Sequence, residues 1–146
     1  MQIEKVTEDK KQYIDLLLLA DEQENMIDKY LERGDMFVLY DNEVVAECVV
    51  TKESEGVYEL KNIAVEPNQQ HKGYGRALIE FLFTHYLDCT TMYVGTGDSP
   101  LTMDFYKRCG FLESHRISNF FIDNYDHPIY EGGKQLVDMI YLRKNV

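Results

Sequence analysis

The stretch Asn62–Glu80, reading NIAVEPNQQHKGYGRALIE, limits what this chain can become more than any other. An apolar run, Ile63-Ala64-Val65, breaks at Pro67 and gives way to a polar loop. The chain then passes Gly73-Tyr74-Gly75 and continues as an amphipathic helix beginning near Arg76. The first N–H groups of such a helix have no intrahelical acceptors, and their partial positive charge attracts anions. Glycines remove Cβ atoms where the backbone turns sharply or must approach a ligand. A phosphate-bearing guest is the expected consequence. Two common phosphate patterns do not fit. A dinucleotide fingerprint needs a small residue where Leu78 stands, and a P-loop needs Gly-Lys-Ser/Thr where Gly75-Arg76-Ala77 stands.

Around this junction the periodicity predicts alternating elements. Gln2–Val6 reads as a strand, and Thr7 is placed to cap a helix over Glu8–Ala20. A second helix over Gln23–Arg33 is ended by Gly34. Met36–Tyr40 and Val44–Thr51 form a hairpin across Asp41-Asn42-Glu43, and Val57–Val65 follows Gly56. After the loop, Leu78, Ile79, Phe81, Leu82, Phe83 and Tyr86 make a broad apolar helix face. Thr91–Gly95 returns as a strand, so strand, helix and strand form a crossover unit expected to be right-handed and parallel. Ser99-Pro100 opens another helix, with Leu101, Phe105 and Cys109 on one face and Gly110 closing it. The chain is then strand-like again, notably over Arg116–Phe121. A long polar and aromatic excursion over Ile122–Gly133 precedes a last strand, Leu136–Arg143.

Length and composition agree with one globular domain over residues 1–146, able to bury a core without staples. The balance of 15 basic against 26 acidic residues, net −11, argues against nucleic acid or an anionic membrane as partner. Cys48, Cys89 and Cys109 form no Cys-x-x-Cys pair and read as reduced packing residues, and the polar N-terminus does not look like a signal peptide. A cytoplasmic location is the expectation. His71, His85, His115 and His127 show no metal-ligand spacing, so no metal is expected.

Gln70-His71-Lys72-Gly73-Tyr74-Gly75 resembles the acetyl-CoA loop of the GNAT superfamily of N-acetyltransferases, whose pattern is Gln or Arg, two residues, Gly, one residue, Gly or Ala. Phe105-Tyr106-Lys107-Arg108-Cys109-Gly110-Phe111 independently resembles that family's Phe-Tyr-x-x-x-Gly-Phe segment. The resemblance covers about Tyr58 to Phe111. It implies an α/β fold with a mixed, mostly antiparallel central sheet, helices on both faces and a parallel crossover around the loop. It also implies acetyl-CoA as cosubstrate. Ile63, Ala64 and Val65 would pair with the pantetheine arm through their backbone, and Gln70, His71, Lys72, Gly73, Tyr74, Gly75 and Arg76 would wrap the diphosphate. Lys72 and Arg76 read either as phosphate contacts or as solvated charge. Where the family often carries Asn, this chain has Asp98-Ser99, and Ser99 is either a ligand contact or a helix cap.

Acyl transfer to an amine needs the amine neutral. With a pKa near 10.4 only about one molecule in 2500 is neutral at pH 7, a handicap of about 4.6 kcal/mol. By resemblance Glu59, on the parity of Ile63 and Val65 if no bulge intervenes, is the candidate base. Glu47 and Asp138 are rival carboxylates, Asp138 because its alternation predicts an inward face. Tyr106 is the carried-over general acid for the departing thiolate. The segments Asp21-Glu22-Gln23-Glu24 and Asp123-Asn124-Tyr125-Asp126, with Tyr130-Glu131, would suit a small cationic amine. Direct attack is expected, because no cysteine is placed to carry an acyl group. The readings that stay open are a protein N-terminus or lysine as acceptor, and a non-catalytic acyl-CoA sensor. The late tyrosine-rich loop is also a candidate homodimer contact.

Overall fold

The computed structural model describes all 146 residues, and they gather into two compact units, Met1–Cys89 and Thr90–Val146.

The first unit is built on four consecutive antiparallel strands, β1 (Gln2–Val6), β2 (Asp35–Asp41), β3 (Glu43–Ser54) and β4 (Val57–Val65). Asn42, at φ 70°, supplies the left-handed turn between β2 and β3 without a glycine. Both faces of β3 are covered, which is why Val45 through Thr51 are buried without alternation. One face meets α1 (Ile14–Ala20) and α2 (Glu24–Ile27). There Leu17, Ile27, Tyr30 and Leu31 join Val6, Met36, Val38 and Val49 in one apolar cluster. The other face meets α3 (Tyr74–His85). Phe37 lies 5.2 Å from Phe81, and Tyr58 4.4 Å from Tyr86. Each fully buried Leu or Ile here contributes about 1.5–3 kcal/mol.

The helices before β2 are shorter than the apolar spacing predicts. Asp9 adopts a left-handed conformation at φ 51°, so Lys10–Tyr13 form a 3₁₀ turn and the α-helix starts only at Ile14, with no cap from Thr7. Lys10 explains the arrangement. Its ammonium donates to the carbonyl oxygens of Leu31 (2.9 Å) and Gly34 (2.7 Å), fastening the turn to the end of the second helical segment. Gly34 does stop that segment. Its N–H donates to Tyr30 O at 2.9 Å, and an added Cβ would sit 2.8 Å from Val49.

In the second unit β5 (Thr91–Gly97), β6 (Leu112–Ile117) and β9 (Met139–Asn145) pair antiparallel in the order β5-β9-β6, with α4 (Pro100–Arg108) against β5. Gly110 ends α4 at φ 99° as expected. Two expectations change. Leu101 is exposed, and the buried face of α4 is Met103 and Tyr106, with Cys109 beyond its end. Phe120 and Phe121 are not strand: Asn119 at φ 60° opens α5 (Phe120–Asn124), whose Phe121 packs with Ile129 and Leu136. The excursion that follows is partly ordered by the small hairpin β7 (Tyr130–Glu131) and β8 (Lys134–Gln135).

Candidate functional site

The end of β4 leads straight into the glycine loop. Glu66 N–H donates to Val45 O at 2.8 Å, a 3₁₀ turn covers Pro67–Gln69, and the Gln70 amide donates back to Val65 O at 3.3 Å. His71 and Gly73 are both left-handed, at φ 65° and 87°. Nothing lies within 4 Å of where a Gly73 Cβ would be, so backbone conformation, and not crowding, selects glycine there. α3 begins at Tyr74, and its first intrahelical bond runs from Ala77 N to Gly73 O at 3.0 Å. The N–H groups of Tyr74, Gly75 and Arg76 precede that bond. They leave a positive helix end, with no acidic residue in the first turn to compete for it. Tyr74 OH is tied to Asp41 Oδ2, which anchors the loop to the β2–β3 turn. Lys72 donates to the Gln69 side chain at 2.8 Å, and Arg76 pairs with Glu80 at 3.1 Å. Both are exposed cations with local partners that an anion can displace.

On β4, a bulge separates Glu59 from Ile63, Ala64 and Val65. Val49 faces Asn62 but Val50 faces Leu60, so Lys61 is the extra residue. Ile63 pairs with Cys48, whereas Glu59 pairs with Thr51 and therefore falls on the opposite face, that of Glu47 and Asn62. Glu59 also lies 2.8 Å from Lys61 Nζ. Glu47 pairs with Ala64 and is fully buried, and burial pushes its carboxyl well above the usual range. Asp138 is a structural group. It takes the Asn119 N–H at 2.9 Å and Arg116 at 2.8 Å, which hold its pKa low.

In the second unit Tyr106 is buried on α4 between Phe105 and Phe111, with ring centroids 5.2 and 6.0 Å away. Ser99 is buried at the N-terminus of that helix but makes no side-chain cap bond, so capping does not account for it.

Residues 32–113 match the family described as Acetyltransferase (GNAT) domain. The chain belongs to the GNAT acetyltransferase family. It is 34% identical, over 97% of this chain and 94% of the relative, to the uncharacterized N-acetyltransferase YvbK of Bacillus subtilis (strain 168). Two solved structures are similar over nearly the whole length. A GNAT family acetyltransferase from Elizabethkingia anophelis with acetyl-CoA bound shares 33% identity at a TM-score of 0.92, covering 99% of this chain and 97% of that one. A Bacillus subtilis acetyltransferase in complex with CoA shares 34% at 0.88, covering 99% and 98%. The mixed α/β fold expected from the sequence is the fold of these proteins, and the chain is an acetyl-CoA-dependent N-acetyltransferase. No helix of this acetyltransferase is long and apolar enough to cross a membrane.

The acidic segments expected to receive a cation are partly engaged already. Asp21 accepts from Tyr30 OH at 3.0 Å, and Glu24 pairs with Lys11 at 2.8 Å. Glu131 accepts from Thr102 at 2.9 Å, and Tyr125 stacks on Phe121 at 5.6 Å. Sequence reasoning missed Asn62, whose amide donates to Leu17 O (3.1 Å) and to Tyr30 OH (3.0 Å). The available signal was an amide directly before the apolar run Ile63–Val65.

Proposed function

We propose that this acetyltransferase moves the acetyl group to a small cationic primary amine by direct attack. Acetyl-CoA supplies the activated acetyl thioester. The N–H groups of Tyr74, Gly75 and Arg76, with Lys72 and Arg76 as exposed cations, would hold its diphosphate, and the Ile63–Val65 backbone its pantetheine arm. The observation that carries donor binding is the helix start: three consecutive N–H groups without intrahelical acceptors behind a left-handed Gly73. Ser99 would line the same arm. Tyr106 would protonate the sulfur as it departs, in concert with bond cleavage because a phenol near pKa 10 is the weaker acid. A carboxylate of the β3–β4 pair, Glu59 or Glu47, would take the amine's proton. The excess of 26 acidic over 15 basic residues favours a cationic acceptor.

The test is a panel of aliphatic amines, polyamines, aromatic amines and peptides with free N-termini or lysines, incubated with acetyl-CoA and read by mass of the product. Selective acetylation of small aliphatic amines is the expected result. Acetylation of peptides alone would move the acceptor to protein, and saturable acetyl-CoA binding with no product from any acceptor would favour a sensor.

A further inference from the structure

Glu47 lies in the middle of β3, opposite Val38 on β2 and Ala64 on β4, on the face that meets α1 and α2. It has no solvent exposure, and neither carboxylate oxygen has a hydrogen-bond partner. Two residues along, Val49 faces Asn62, so Asn62 is the diagonal neighbour of Glu47 on that face. The orientation of the Asn62 amide is fixed, because Leu17 O can only accept and must face Nδ2. Its Oδ1 is therefore the free end, and it too is buried without a partner. Tyr30 OH receives Asn62 Nδ2 and gives its own hydrogen to Asp21. These donors are spent, and with Glu47 ionised three acceptor oxygens remain. Across the elements packed here, the titratable groups are Tyr30 and Asp21, Glu59 further along β4, Tyr13 and Tyr40 against the same apolar cluster and, on the same strand, Cys48; burial raises the Glu47 carboxyl.

Buried acceptors without donors are costly unless a donor-rich guest meets them. A primary alkylammonium carries three N–H donors and no acceptor, the complement of this set. We propose that Glu47 and Asn62 form the seat for the nitrogen of the acceptor amine, Glu47 taking a proton from it as acylation proceeds. This rests on the acetyltransferase reading above and narrows it to a primary ammonium, whose three N–H donors match the three acceptor oxygens. Its place is consistent. Ala64, directly opposite Glu47, is the centre of the segment assigned to the pantetheine arm, one strand spacing of about 4.8 Å away. Glu59, by contrast, already has Lys61. In the reaction the nitrogen lone pair forms the C–N bond and the C–S bond breaks with its electron pair passing to sulfur. Of the ammonium's three protons the amide keeps one, Glu47 takes one and releases it to solvent, and the third ends on the departing sulfur.

The experiment follows the Glu47 side-chain carboxyl by ¹³C NMR against pH, with methylammonium as probe and tetramethylammonium, which has no N–H, as control. Methylammonium should lower the Glu47 midpoint saturably by a unit or more, the control and sodium should not, and Asn62→Leu should lose most of the shift. With the amine that wild type turns over best, Glu47→Gln should reduce kcat at least 100-fold and remove the acid limb of its pH profile. Acetyl-CoA affinity should stay within twofold. A midpoint indifferent to methylammonium, or moved equally by sodium, overturns the seat, and the wild-type titration stands whether or not the variants fold. A Glu47 that responds to methylammonium in a protein that acetylates no amine keeps the seat and removes the function; turnover unaffected by Glu47→Gln does the reverse.

Discussion

At the scale of single residues, the proposed roles fall on two buried polar side chains in opposite situations. Tyr106 is a phenol in aromatic surroundings, so Tyr106→Phe keeps the ring and removes the hydroxyl. The expected loss in kcat is about 100-fold, with the acetyl-CoA dissociation constant unchanged in calorimetry. Glu47 is a carboxyl with nothing to answer its charge. Its folded pKa is raised above the ordinary 4.5, so it favours the folded state fully below that value and progressively less as pH rises through the folded pKa. Thermal unfolding between pH 5 and 9 should therefore show wild type losing stability with pH, and Glu47→Gln losing less. Asp35 responds in the other direction. Burial works against its charge, but the Tyr86 hydroxyl and Lys5 outweigh that and lower its pKa, so its contribution is lost only as pH falls through the acid range.

At the scale of elements, the junction between β4 and α3 depends on a turn that only a left-handed residue can make. Gly73→Val forces a β-branched residue to φ 87° and should cost about 1–3 kcal/mol in denaturant unfolding, with weaker acetyl-CoA binding. Gly73→Asn should cost distinctly less, because Asn tolerates this region and an added Cβ meets no neighbour. This junction was legible in the sequence because its determinants are local: an apolar run, a proline, two glycines and a helix period within nineteen letters. The helices α1 and α5 were misjudged in length or type because Asp9 and Asn119 take left-handed conformations that their letters permit but do not require. Ser99 matched the composition of a cap, yet its hydroxyl does not cap. The facing of Glu59 turned on one bulge at Lys61, which strand parity cannot reveal. Asn62 and Tyr30 meet across 32 residues, a contact that no window of sequence contains.

At the scale of the whole molecule, the net charge of −11 should gather the proposed cationic acceptor by long-range attraction. Such attraction is screened over about 10 Å at 0.1 M salt. The KM for a cationic amine should therefore rise several-fold between 20 and 500 mM salt, while kcat holds, in steady-state assays at fixed acetyl-CoA. The proposed function depends on the start of α3 gripping the donor's diphosphate, and amide NMR reads this directly. Titration with acetyl-CoA should shift the Tyr74, Gly75 and Arg76 N–H resonances downfield, and titration with S-acetyl-pantetheine, which lacks the diphosphate, should leave them in place. Acetyl-CoA that binds with those amides unmoved, or an equal shift from the diphosphate-free analogue, would contradict it.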